Sequence, residues 1–207
     1  MTITVYGARH SGSVIVELAL DLAKIPYVVE EIAYDKPGPQ RDVLFDVNPI
    51  GQVPAVRLDD GTILTETLAI IQAIDDMAPE AGLVPARGEP ERNRYLRWST
   101  YLVAAVYPTF TFGDEPDRWL RPFPEAQKQL RRSTDERREA LWSVMEDEAD
   151  PTGPWFLGQR FSAIDLYLAV MLGWRPGREW FEKKTPRLTR AAVAARARPE
   201  VSRALAR

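Results

Sequence analysis

The rhythm of apolar positions along this chain changes after about a third of its length. In the opening part, short β-branched or alternating runs at Ile3 to Tyr6, Tyr27 to Ile32, Ala55 to Leu58 and Thr62 to Leu64 predict strands. Between the first two, Val14, Leu18, Leu22 and Ile25 recur at helical spacing, and Pro26 closes the helix they predict. The last two flank Asp59-Asp60-Gly61, where the Asp-Gly pair can supply the positive φ angles of a tight hairpin. With a further helix over Thr67 to Met77, the order predicts a small mixed sheet: two parallel strands, then an antiparallel pair.

Residues 78 to 88, APEAGLVPARG, lose that periodicity and carry two prolines and two glycines, the composition of a connection between domains. Beyond them every periodic stretch is helical: Glu89 to Val106, Phe123 to Ala149, Ser162 to Trp174, Pro186 to Ala197, and a last turn after Pro199. Ser162 and Asp165 stand at capping-box spacing ahead of an apolar run, with Phe161 and Leu166 placed as a hydrophobic staple, so that motif starts a buried helix. The expected organisation is an α/β domain at 1–79, a linker at 80–88 and an all-helical domain at 89–207.

Composition narrows the chemistry. The 207 residues are 45% hydrophobic and 28% charged, ordinary values for a globular chain. With 27 basic and 30 acidic residues, the net charge of -3 makes no field that gathers nucleic acid or anionic lipid. The locally basic end, RLTRAAVAARARPEVSRALAR, reads as a solvated helix face. No apolar stretch reaches the ~18 residues of a membrane span, and a cytoplasmic location is the default expectation. Zero cysteines exclude disulfides and any protein-thiol mechanism, and a single histidine, His10, leaves no basis for a nitrogen-ligated metal site.

Three short stretches carry candidate chemistry. GARHSGS, Gly7 to Ser13, joins a strand to a helix with nearly the spacing of a phosphate-binding loop. Ser13 stands where that loop needs its lysine, however, and Val14 where it needs the magnesium-binding hydroxyl. His10 beside Ser11 does not make a hydrolase dyad, because the nucleophile elbow is missing. In GQVPAV, Pro54 is either an ordinary edge proline or a cis residue; a cis bond would turn the N–H and C=O of Val53 outward for a ligand backbone. Glu66-Thr67 begins a helix. It is either a plain N-cap or an anion site, with Glu66 free to take an ammonium.

Taken in order, the Tyr-ended strand, the hydroxyl-bearing loop, NPIGQVPAV, the hairpin, TETLAI and FLGQRFSAIDLYLAVML resemble the cytosolic glutathione S-transferases over essentially the whole chain. The resemblance implies a thioredoxin-like first domain and an all-helical second one. It implies that Val53, before Pro54, makes main-chain bonds to the cysteinyl part of glutathione, with Gln52 placed to reach the tripeptide. Glu66 and Thr67 would hold its γ-glutamyl end; the family's usual pair is Glu-Ser, and Thr67 keeps the hydroxyl. In the serine-type classes the catalytic serine lies five residues after the aromatic of the first strand, which is Ser11 here. Counting back from the helix gives His10 instead, and Ser13 is a third choice that could simply cap the helix. Tyr101, Tyr107 and Phe110 are the apolar residues expected around the acceptor.

The expected activity is a glutathione transferase: glutathione as co-substrate, no metal, and a hydrophobic electrophile attacked by the thiolate in detoxification. The resemblance also implies a homodimer, with neither nucleic acid nor membrane as a partner. A free thiol has a pKa of about 8.5, and lowering it by about two units takes roughly 2.7 kcal/mol, within reach of one hydroxyl donor plus a helix N-terminus. Two alternatives need no protein cysteine: reduction of disulfides or peroxides by two glutathiones, and a binding or scaffold role with little catalysis.

Overall fold

The computed structural model describes residues 2–33 and 38–205. Strand β1 (Ile3–Gly7) runs parallel to β2 (Tyr27–Glu31), with Ile3 opposite Tyr27 and Gly7 opposite Glu31. On its other side β1 pairs antiparallel with β3 (Ala55–Arg57), which pairs antiparallel with β4 (Ile63–Thr65). The resulting order, β2-β1-β3-β4, is the predicted mixed sheet. Between β3 and β4 only Gly61 takes the left-handed backbone, at φ 88°. The expected pair of positive φ angles is therefore replaced by a longer turn, in which Asp60 Oδ1 accepts the Thr62 N–H at 2.8 Å.

Alternation along β1 sends Ile3 and Val5 into the main core and Tyr6 into a smaller cluster. Helices α1 (Ser13–Ala23) and α3 (Thr67–Met77) contribute to the main core. The smaller cluster is roofed by α2 (Pro39–Val47) through Leu44 and Val47. The sequence pattern predicts no helix there, because only those two of its residues are buried and Gly38-Pro39 at its start reads as loop.

The second half is helical. α4 (Arg92–Tyr101) does not stop at Val106 as predicted. It passes through a π-helical turn, Leu102–Val106, into α5 (Tyr107–Gly113). Pro108 has no N–H to give and its ring would crowd the carbonyl four residues back, and the wider turn sits directly before it. Then follow α6 (Pro124–Glu148), α7 (Ala163–Met171), α8 (Arg178–Lys184), α9 (Pro186–Arg196) and α10 (Pro199–Leu205). α8 is also unpredicted, being short, with Phe181 as its one buried residue.

Every residue of α7 is buried, which makes it the axis of the helical half. The Asp165 half of the predicted capping box starts it: its carboxylate accepts the N–H of Ser162 at 2.9 Å and that of Phe156 at 2.8 Å. Arg160 ties the same region back to the connection from the sheet, donating to Gly82 O and to Glu89. The apolar core runs unbroken from α1 and α3 into α4 and α7. Among the described residues no helix is long and apolar enough to cross a membrane.

Candidate functional site

The loop between β1 and α1 is closed by its own serines. Ser13 Oγ accepts the Ala8 N–H at 3.0 Å, while Ser11 Oγ donates to Ala8 O at 2.7 Å and accepts the Ser13 N–H at 3.2 Å. The two hydroxyls are 2.9 Å apart, and Ser13 Oγ lies 3.1 Å from the same Ala8 carbonyl. Both serines are buried. His10, by contrast, is exposed on left-handed backbone, φ 62°. The N-terminus of α1 follows at once, with Gly12 as its N-cap.

A second loop faces the first. Asn48, buried, organises it: its side-chain amide donates to Gln52 O at 2.7 Å and its Oδ1 accepts the Ile50 N–H at 3.3 Å. Val53-Pro54 is cis, and Pro54 leads into an interior strand, which sets aside the edge-proline alternative. Among the described residues, neither the N–H nor the C=O of Val53 has a hydrogen-bond partner.

Pairing of Ala55 with Thr65 carries the chain of Glu66 alongside Pro54. Glu66 is exposed and holds φ 65°, ψ 108°, a conformation a non-glycine residue rarely keeps without a reason. Thr67, buried, opens α3, whose first N–H groups have no partner within the helix. Glu66, exposed, thus stands beside the N-terminus of α3, with its backbone alongside that of Val53-Pro54.

The far wall comes from the helical half. Tyr107, Phe110 and Trp174 pack edge to face, with centroids 5.8 Å apart for Tyr107–Trp174 and 5.3 Å for Phe110–Trp174. Beneath Phe110 lies the buried guanidinium of Arg138, 3.9 Å from the ring centroid. It donates to Thr109 Oγ1 at 2.9 Å, Thr109 O at 2.8 Å and Asp135 at 2.6 Å. Asp135 in turn accepts from Arg175, which also pairs with Asp114. Removing the cation would leave Thr109 without its donor and Asp135 with Arg175 alone; Arg138→Met is expected to cost about 3 kcal/mol in chemical unfolding, and to loosen the Phe110 wall.

These elements enclose one cleft of about 510 Å³. His10, Ser11 and Gly12 line it from the first loop, Gln52 and Val53 from the second, and Tyr107, Phe110, Trp119 and Trp174 from the helical half. Of the residues picked out from sequence, Ser13, Pro54, Glu66 and Thr67 lie behind or beside these walls. Tyr101 is not part of the cleft: its hydroxyl donates to Leu141 O at 3.0 Å and its ring stacks edge-on to Trp98, 4.8 Å away. Asn48, Trp119, Trp174 and Arg175 were missed; Trp174 is the last residue of a predicted helix that in fact ends at Met171, Arg175 follows it, and Trp119 lies in a stretch without periodicity. Burial raises the phenols of Tyr107 and Tyr167 well above their ordinary pKa, so both stay protonated.

Comparison with known proteins fits this geometry. Residues 13–77 match the glutathione S-transferase N-terminal domain. The chain is 37% identical over 206 residues, 99% of its length and 98% of the relative's, to YncG, an uncharacterized GST-like protein of Escherichia coli K12. A glutathione transferase from Methylococcus capsulatus strain Bath superposes with a TM-score of 0.78 at 31% identity, over 99% and 98% of the two chains. A glutathione transferase homolog from Sulfitobacter, solved with bound glutathione, gives 0.85 at 28%, over 98% and 96%.

Proposed function

We propose that this chain, which belongs to the glutathione S-transferase family, binds glutathione along Val53 and activates its thiol to attack an apolar electrophile. The observation that carries the reading is that one cleft has Ser11 and the open backbone of Val53 on one wall and Tyr107, Phe110 and Trp174 on the other. In this reading the cysteinyl unit pairs with the N–H and C=O of Val53 as a neighbouring strand would, and Gln52 borders it. The γ-glutamyl ammonium lies on Glu66, and its carboxylate lies on Thr67 and the N-terminus of α3. The division into a glutathione-binding domain at 1–79, a linker at 80–88 and a substrate domain at 89–207 follows the same assignment.

The thiol sulphur then lies at the Ser11 loop. Its proton leaves to solvent, and the thiolate is held by the Ser11 hydroxyl and the N-terminus of α1. Rotation of the Ser11 hydroxyl toward sulphur releases Ala8 O, which Ser13 Oγ is already placed to satisfy. The thiolate forms a C–S bond to the electrophilic carbon as that carbon's bond to its leaving group breaks.

Titration calorimetry with reduced glutathione, paired with ultraviolet absorbance of the thiolate across pH, tests this. Saturable binding with a thiol pKa below about 7 supports it, and absence of binding at millimolar glutathione overturns it. Glu66→Gln and Thr67→Ala each remove a charge-assisted hydrogen bond, and each is expected to weaken affinity about tenfold. The inward bonds of the Ser11 hydroxyl favour a second reading, a glutathione-binding protein without thiol activation, for which the bound thiol would titrate near 8.5.

A further inference from the structure

We infer that the Tyr107 hydroxyl is a second hydrogen-bond donor to the glutathione sulphur, making it a catalytic residue supplied by the helical half; this rests on the reading above. Its oxygen is buried and has no hydrogen-bond partner among the described residues, a costly state for a phenol. It is aimed at the sulphur loop, since a methyl group added to Gly12 would lie 2.8 Å from it. Gly12, Ser11 and Tyr107 all line the one cleft, with Tyr107 reaching Gly12 from the opposite wall. The ring is fixed edge-on by Tyr167 at 6.2 Å, Trp174 at 5.8 Å and Phe110 at 6.4 Å, so the hydroxyl cannot swing elsewhere.

Ser11 and Tyr107 differ in what they must give up. The Ser11 hydroxyl already donates at 2.7 Å within its loop, whereas the phenol breaks nothing to meet an entering thiolate. Burial keeps the phenol protonated across the working pH range, so it serves as a donor and not as a base. The other titratable or charged groups of the cleft are His10, Asp114, Glu115, Arg118 and Arg175, with Tyr167 against the ring. Arg118 pairs with Glu115 and Arg175 with Asp114, which leaves His10 as the one lining charge candidate without an ion partner among the described residues.

The test is Tyr107→Phe in the full-length protein, assayed for bound-thiol pKa by thiolate absorbance and for kcat/KM between pH 6 and 9 with an aryl halide. The series is repeated with His10→Asn, which tolerates left-handed backbone, so that histidine titration does not enter the comparison. The expected result is a rise of about one unit in thiol pKa, with kcat/KM down by up to about tenfold at pH 6 and converging above pH 8.5. Glutathione affinity and Tm should stay close to those of the native protein. Gly12→Ala, which keeps the phenol but pushes it from the loop, should raise the thiol pKa in the same direction. An unchanged thiol pKa in Tyr107→Phe overturns the inference whatever happens to turnover. A native protein that binds no glutathione, or binds it with an ordinary thiol, fails at the earlier step and is recognised without any variant.

Discussion

Ser11→Ala is expected to lower kcat/KM by roughly 10- to 100-fold at pH 6, with the deficit shrinking to a few-fold at pH 9 and glutathione affinity changed by less than about threefold. A hydrogen bond to a charged acceptor is worth about 1.5–3 kcal/mol, which corresponds to about one to two pKa units of the bound thiol. Below the native thiol pKa that shift appears in full as lost thiolate; above the shifted value both enzymes carry thiolate, and the less stabilised one is the better nucleophile. The loop should survive the change. Ser13 Oγ keeps the Ala8 N–H and reaches Ala8 O without help from Ser11. Combined with Tyr107→Phe, the bound thiol should return close to its free value. A pH profile of Ser11→Ala parallel to that of the native protein would remove Ser11 from the chemistry and leave it a loop-closing residue.

The sequence disclosed the parts of this site that depend on local rules. A hydroxyl loop between strand and helix, a proline at a strand entrance and an acid-hydroxyl pair at a helix start are all short-range signals, and all three occupy the expected elements. It could not decide geometry that tertiary pairing imposes. Whether Pro54 is cis depends on how the Asn48 loop and β3 are held, and Asn48 carries no pattern of its own. The counts reaching Ser11 and His10 disagree by one residue, which local pattern alone cannot resolve. The backbone then separates them, with Ser11 inside the loop and His10 outside it.

Among the aromatics, the π-helical turn before Pro108 decides which ring faces the cleft. An unbroken helix would drift by a different angle from Tyr101 to Tyr107, and periodicity alone treats both as core candidates. The turn brings Tyr107 and Phe110 to the cleft and leaves Tyr101 bonded to α6. Helices α2 and α8 escaped notice for a simpler reason. Each is short and buries too few side chains to stand out from loop.

Asp165→Ala is expected to destabilise the protein by about 3–5 kcal/mol at pH 5, a large share of the ~5–15 kcal/mol that holds a typical domain. The carboxyl is fully buried and serves two backbone donors with separate oxygens: Oδ1 takes the Phe156 N–H and Oδ2 that of Ser162. Removal leaves both donors buried and unsatisfied, at about 1–3 kcal/mol each, and opens the start of α7, around which the helical half packs. Asparagine should help little, since its amide nitrogen must face one of those two N–H groups, donor against donor. Burial lifts the Asp165 carboxyl to about 7, above its ordinary 3.8. A folded-state pKa raised in this way gives a contribution that is complete below about pH 4, is lost as pH climbs through 7 and is flat beyond. The gap between native protein and Asp165→Ala should therefore narrow from pH 5 to pH 8 in urea unfolding. A gap under about 1 kcal/mol at pH 5 would mean that Phe156 and Ser162 find other acceptors, and that α7 starts without its cap.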